Sequence, residues 1–331
     1  MPETVLVIGS NSFSGGDFID LLLDDPATHV LGVSRGSEKP AFMLAYRRRS
    51  DLSRFRFEQI DLNHDVDRLL ALIDAKRPEY IVNFAAQSEV APSWIHPEEW
   101  FETNTVALAK LVKNLAGKDF IKRYLHVSSP EAYGNCVGRV TEEAPDNPST
   151  PYAASKAAAD MLLSVYHKQY GFPVVTVRAT NVYGPHQQLF KIIPRTVIAL
   201  KMAKRIPLHG GGVAVKSYIH IRDVSRGELA MLKRGNSGDR YHLSPDEGIA
   251  VADVVRKICE RLGARYEDSV EVVGERPGQD AAYVIDSEKA RRTFGWRPEI
   301  ALETGLAQVV DWIEANWDTI VNQPLEYVHR P

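Results

Sequence analysis

Cysteine is nearly missing from this chain: Cys136 and Cys259 are the two thiols among 331 residues. They stand too far apart for a disulfide framework or a four-ligand metal site, so a reducing, cytoplasmic setting is expected. An excess of one charge is also lacking. Forty basic residues against forty-three acidic ones leave a formal net charge of −3, which gives no overall positive field to hold nucleic acid or an anionic membrane, so any polyanion recognition must be local. Long apolar runs are absent: Ile192 to Leu200 already contains Arg195, whereas a membrane-spanning helix needs about 20 apolar residues. Met1-Pro2-Glu3-Thr4 leads straight into Val5-Leu6-Val7-Ile8, without the zones of an export signal. His186 and His209 lie in turns, but no H-E-x-x-H or comparable ligand spacing occurs, so no metal is expected. There is no fixed-period repeat.

What remains is an ordinary globular composition, 44% hydrophobic and 25% charged, at a length suited to two domains. Short β-branched runs at Val5 to Ile8, His29 to Val33, Phe55 to Ile60, Tyr80 to Phe84, Tyr124 to Ser128 and Val174 to Arg178 read as strands. Between them, Asp17 to Leu23, Val66 to Ala75, Pro97 to Leu115 and Tyr152 to Tyr170 carry apolar residues at three- and four-residue spacing, as crossover helices do. This alternation predicts an α/β fold with a Rossmann-type, doubly wound parallel sheet over residues 1–180. After Asn181 the sequence is turn-rich and predicts a smaller mixed α/β C-terminal substrate lobe over 181–331, with a return segment to the sheet near 218–235. Trp94, Trp100 and Trp296 are expected to be packing residues.

Val5 to Ile8 runs into Gly9-Ser10-Asn11-Ser12-Phe13-Ser14-Gly15-Gly16, followed by a helix expected to begin near Asp17. Strand, tight turn and helix N-terminus are what a dinucleotide pyrophosphate needs: outward N–H groups and no Cβ in the way. Ser12 holds the place of the usual middle glycine and offers a hydroxyl. A plain glycine-rich βα turn has the same pattern. At the end of the second strand, where an acid would accept the ribose 2′-OH of NAD, stand Ser34 and Arg35; a cation there favours the 2′-phosphate of NADP, unless Arg35 is a solvated loop residue. Asp61-Leu62 would suit the adenine edge, although a strand-end Asp can equally cap a helix.

Tyr152 and Lys156 are four apart at the start of a helix and so share a face. An ammonium beside a phenol stabilises the phenolate and makes it a base for an alcohol undergoing oxidation. Ser129, leaving the strand before it, can hydrogen-bond the same reacting oxygen.

With these motifs, together with Asn83 to Ser88, Phe101 to Asn104, Ser128 to Gly134, Asn181 to Pro185 and Arg276 to Asp280, the chain resembles the extended short-chain dehydrogenase/reductases. Within them it is similar to the nucleotide-sugar epimerases and 4,6-dehydratases nearly end to end. The resemblance implies that Gly9, Ser12, Phe13, Gly15, Ser34, Arg35, Asp61, Leu62, Ala85, Ala86, Gln87 and Asn104 border NAD(P), along with Tyr152 and Lys156. It implies that Ser88, Asn181, Lys191, Lys216 and Arg276 hold a nucleotide-diphosphosugar, and that a homodimer forms through the helices carrying Asn104 and Tyr152.

The implied chemistry is C4 oxidation with Tyr152 as base, assisted by Lys156 and Ser129, then loss of water across C5 and C6 with Glu131 as C5 base. Dehydratases of the dTDP-glucose type carry Thr-Asp-Glu where this chain has Ser129-Pro130-Glu131. Pro130 has no proton to give, so either Glu131 serves as both acid and base or elimination is impaired. A C4 epimerase, a 4-keto-sugar reductase and a non-catalytic dinucleotide sensor are the alternatives. Glu131 argues against the epimerase, and the joint presence of Tyr, Lys, Ser and Glu argues against the sensor.

Overall fold

Along the first strand, Val5 and Val7 enter one apolar core and Leu6 and Ile8 enter another. Alternation with both faces buried is why the strand reads as a continuous apolar run. The computed structural model describes residues 3–135, 139–274 and 282–329. In it β1 (Glu3–Ile8), β2 (Thr28–Ser34), β3 (Phe55–Gln59), β4 (Tyr80–Asn83) and β5 (Arg123–Val127) join the strands Val174–Ala179 and Arg240–Leu243 in a seven-stranded sheet. Its order is β3-β2-β1-β4-β5, then 174–179, then 240–243, and every pairing is parallel. Val5 faces Val30 on one side and Tyr80 on the other. The strand order reverses between β1 and β4, the place where such sheets open a ligand crevice.

Helix α1 (Phe13–Leu22) and the helix Ile221–Arg234 cover one face through Phe18, Ile19, Leu22, Val224 and Met231. The other face is covered by Val66–Lys76, Ala107–Leu115 and Pro151–Tyr170 through Leu69, Ile73, Leu108, Leu111, Ala159 and Leu163. Burying each such side chain contributes about 1.5–3 kcal/mol. A separate core joins the helices Ile192–Lys201, Val251–Arg261 and Leu302–Ala315 through Val197, Ile258, Val309 and Trp312. No helix among the described residues is long and apolar enough to cross a membrane.

Three expectations need correction. Helix α1 starts at Phe13, not near Asp17, because Ser12 caps it: its Oγ accepts the Gly15 N–H at 2.9 Å, which draws Gly15 and Gly16 into the first turn. The chain comes back to this layer through the helix Ile221–Arg234, continues into the edge strand Arg240–Leu243, and touches the layer again at Trp296, whose Nε1–H donates to the Asp223 carbonyl at 2.9 Å. The helical run Pro97–Leu115 contains a π turn at Glu102–Val106. Trp94 is 53% exposed and is not a packing residue within the chain, whereas Trp100 and Trp296 are buried.

Candidate active site

Gly9 ends β1 with φ +86°, and a Cβ there would lie 2.7 Å from Ala85 N and 2.8 Å from Phe84 C. Backbone from the ends of β1 and β4 meets at this point, and only glycine allows it. Gly15 has the same logic, since its Cβ would fall 2.5 Å from the Gly9 carbonyl oxygen. The first two N–H groups of α1, those of Phe13 and Ser14, have no acceptor among the described residues. A side-chain-free cradle below an open helix N-terminus fits a dinucleotide pyrophosphate. Asn11 braces the turn: its N–H donates to Ser34 Oγ at 3.0 Å and its side-chain amide to the Ser37 carbonyl at 2.8 Å. The sequence reading missed this residue, although an Asn inside a turn is a common local brace.

The other expected cofactor residues divide. Arg35 is exposed at the end of β2, and Ala86 is exposed after β4. Asp61 caps its own turn by accepting the Asn63 N–H at 2.8 Å, while Leu62 is buried in the core. Asn104 spends all its polar atoms on protein: Oδ1 accepts the Gln87 N–H at 2.9 Å, and Nδ2 donates to Gln87 O at 3.0 Å and Ser155 Oγ at 2.9 Å. It therefore positions the loop after β4 against the Tyr152 helix and has no donor left for a cofactor.

Thr150 caps the helix Pro151–Tyr170 by accepting the Ala153 N–H at 3.1 Å. Tyr152, Lys156 and Asp160 then follow at four-residue intervals along one buried face. Lys156 Nζ donates to the Val127 carbonyl at 2.7 Å. Burial pushes its pKa down to about 8, against the pull of Asp160. The Tyr152 phenol is raised above its ordinary value by burial first and by the Glu131 carboxylate second, with a hydrogen bond to Ser129 opposing them. Lys156, expected to lower it, is not among the leading influences.

Below Lys156 lies a buried network the sequence reading did not find. Arg178 is fully buried and ion-pairs with Asp146 at 2.8 Å and Asp160 at 2.6 Å. Ser128 Oγ donates to Asp160 at 2.6 Å. Burial works to raise the Asp160 pKa, yet Arg178, His126 and Arg240 hold it below its usual value. The signal was available in the i, i+4 spacing of Asp160 from Lys156.

Glu131 sits in the short turn Pro130–Tyr133, where its N–H donates to Ser129 Oγ at 3.2 Å. Its side chain faces a cleft of about 510 Å³, a size typical of small-molecule sites. Ser88, Asn181, Lys191 and Lys216 line the same cleft. Arg276 lies outside the described residues. Lys191 is not an open cation: its Nζ donates to Glu89 at 2.6 Å. Glu89, Arg195, Tyr218 and Tyr327 also line the cleft and were not anticipated. His209 borders it with Nδ1–H donating to the Gly274 carbonyl at 2.8 Å. His186 donates to Phe42 O at 2.7 Å and packs on Trp312.

Several known proteins are similar to this chain. A dTDP-glucose 4,6-dehydratase of Xanthomonas campestris is 33% identical over 74% of this chain and 75% of its own. The structure of a Streptomyces venezuelae dTDP-glucose 4,6-dehydratase with bound NAD superposes with a TM-score of 0.87 at 31% identity, covering 95% of this chain and 98% of that one. A Bacillus cereus UDP-glucuronic acid 4-epimerase, solved with UDP-glucuronic acid and NAD, gives 0.86 at 25% identity over 94% and 99% of the two chains. Residues 6–309 match the family described as GDP-mannose 4,6-dehydratase. A match over that span, on a sheet and cleft of this form, means that the chain belongs to this family of extended short-chain dehydrogenase/reductases.

Proposed function

We propose that this chain is a nucleotide-diphosphosugar 4,6-dehydratase, a lyase that keeps its NAD(P) and makes a 4-keto-6-deoxy sugar nucleotide. The observation that carries the reading is the Glu131 carboxylate, which raises the pKa of the buried Tyr152 phenol and lines the cleft together with Ser88, Asn181 and Lys216. The relatives named above support it.

Gly9, Gly15 and the open N-terminus of α1 would cradle the dinucleotide, which when bound would supply a hydride acceptor for oxidation at C4 and a hydride donor for C6. Tyr152 takes the O4 proton, with Ser129 hydrogen-bonded to it and the Lys156 ammonium one helical turn away. Oxidation at C4 acidifies C5–H, and Glu131 removes that proton. The C6–O bond then breaks, and the departing hydroxyl leaves as water with the proton that Glu131 now carries, because Pro130 has none to supply. C5 then takes up a proton that solvent returns through Glu131, Tyr152 releases the O4 proton to solvent, and hydride delivered at C6 would complete the product.

Arg35, exposed at the end of β2, suits the 2′-phosphate of NADP. A tenfold preference of the apoprotein for NAD would overturn that choice. The division of labour is a dinucleotide-binding body and a sugar-nucleotide lobe. Phe101, Val106, Met161 and Val165 are exposed on the helical runs that carry Asn104 and Tyr152, with Trp94 and Ile95 exposed in the turn just before the first. A patch of this kind marks an interaction surface, and a second copy of the chain is the proposed occupant. Light scattering that returns the monomer mass would refute the dimer.

The test of function is incubation with UDP-, dTDP-, GDP- and CDP-hexoses, followed by mass spectrometry and NMR. Loss of one water from a substrate, with no net consumption of dinucleotide, supports the dehydratase. An unchanged mass with inverted C4 sinks it in favour of the epimerase, the reading that Pro130 alone favours.

A further inference from the structure

The last described residues lie across the cleft. Leu325 packs against the core of the C-terminal lobe, and Glu326 and Tyr327 line the cleft beside Lys191 and Arg195. Glu326 faces Arg195 at 3.8 Å, and the Tyr327 ring meets Phe190 edge-on at 5.4 Å. Two residues further, His329 reaches the other bank. Its ring lies parallel to His96 at 5.2 Å and to Trp100 at 5.4 Å, and it contacts Glu99 at 2.5 Å. His96 precedes and Glu99 and Trp100 lie within the helix Pro97–Phe101, which follows β4. Tyr327 OH closes the loop on His329 Nδ1 at 3.0 Å.

We propose that residues 325–329 form a strap that completes the wall of the ligand cleft, with Tyr327 as a substrate-binding residue and His329 as its latch. This rests on the cleft being a nucleotide-sugar site. Three observations support a wall that is retained on the ligand. The latch contacts lie outside the cleft and do not compete with a ligand for the same atoms. Phe190 and Tyr327 offer an aromatic corner and Arg195 a cation, the partners a base or sugar ring and a diphosphate require. The strap joins the lobe to the sheet-bearing body, so closing it encloses whatever lies between.

The experiment uses the full chain saturated with NAD(P). Uridine, thymidine, guanosine and cytidine diphosphates are titrated into the unaltered protein by calorimetry, and the tightest binder is carried to Tyr327→Ala, His329→Ala and Val321→Ala. Val321 is exposed and lies outside both the strap and the cleft lining, so its variant should match the parent. The strap predicts a Kd raised about tenfold in Tyr327→Ala and His329→Ala, the latter through a faster off-rate, with thermal midpoints unchanged. A Kd within twofold of the parent in both variants overturns it. Tighter binding also overturns it, since the segment would then be a plug. Failure of every diphosphate to bind the unaltered protein would sink the nucleotide-sugar reading itself and the strap with it.

Discussion

Lys156 Nζ lies 2.7 Å from the carbonyl oxygen of Val127, the last residue of β5. One hydrogen bond thus ties the ammonium to the sheet, and Asp160, a turn further along the helix, supplies the opposing charge.

Because burial brings Lys156 down to about 8, turnover should fall as pH rises through that value and the ammonium is lost. Lys156→Met should be slower by about 10²–10⁴ at neutral pH and lack this limb. Initial rates across pH decide it; a limb that survives in Lys156→Met assigns it elsewhere. The folded pKa lies below the ordinary lysine value, so the group destabilises the fold below about pH 8, and that cost fades as pH rises to about 10.5.

Glu131→Gln removes the C5 base and leaves the Tyr152–Lys156 pair in place. Dehydration should drop by about 10²–10⁴, while absorbance of reduced nicotinamide still appears on mixing with substrate. Exchange of the C5 proton with deuterated solvent should stop. Product formation at the parental rate would remove Glu131 from the mechanism.

Glu228 is 1% exposed, and neither of its carboxyl oxygens has a hydrogen-bond partner among the described residues. Burial, followed by the charge of Asp17, raises its pKa well above 4.5. An acid with a raised folded pKa contributes fully below its unfolded value and loses that contribution as pH rises through the folded one. Glu228→Leu should therefore stabilise the protein by about 1–3 kcal/mol, with a larger gain in alkaline than in mildly acidic buffer. Equal gains at both pH values, measured by chemical denaturation, would contradict the assignment.

Gly9→Ala places a methyl 2.7 Å from Ala85 N at a φ of +86°. The backbone strain alone costs about 1–3 kcal/mol, and relief requires moving the end of β4 away from β1. Dinucleotide binding, followed by fluorescence quenching, should be lost while the far-UV spectrum persists. Parental affinity in this variant would show that the turn is not the cradle.

Most strands of the first half were legible because they carry β-branched residues bounded by turns, β3 being the exception, and the order of motifs announced the family. The start of α1 was misplaced because Gly15-Gly16 reads as loop by propensity, whereas Ser12 supplies a cap that overrides it. Tyr152, Lys156, Ser129 and Glu131 lie close enough in sequence to be read as a set. Arg178 and Asp146 could not be linked to them, since their partnership with Asp160 exists only after two strands and a helix have packed. The ion pair of Lys191 with Glu89 spans residues far apart in the chain, so a lysine that looks open in the sequence is already engaged. Tyr327 was invisible for the same reason: nothing local marks a C-terminal tyrosine as part of a cleft.

The pairing of Arg240–Leu243 with Val174–Ala179 also bears on biosynthesis. A ribosome that has released the first 180 residues has produced six strands of the sheet, and the last of them has one unpaired edge with Val174, Val175 and Val177 in it. An apolar edge of this kind is a template for pairing with another chain. It stays open until the partner strand, some sixty residues later, has been synthesised. Nascent chains stalled before Leu243 should therefore recruit chaperones, and truncation at 180 should give an aggregating fragment rather than a minimal dinucleotide-binding domain.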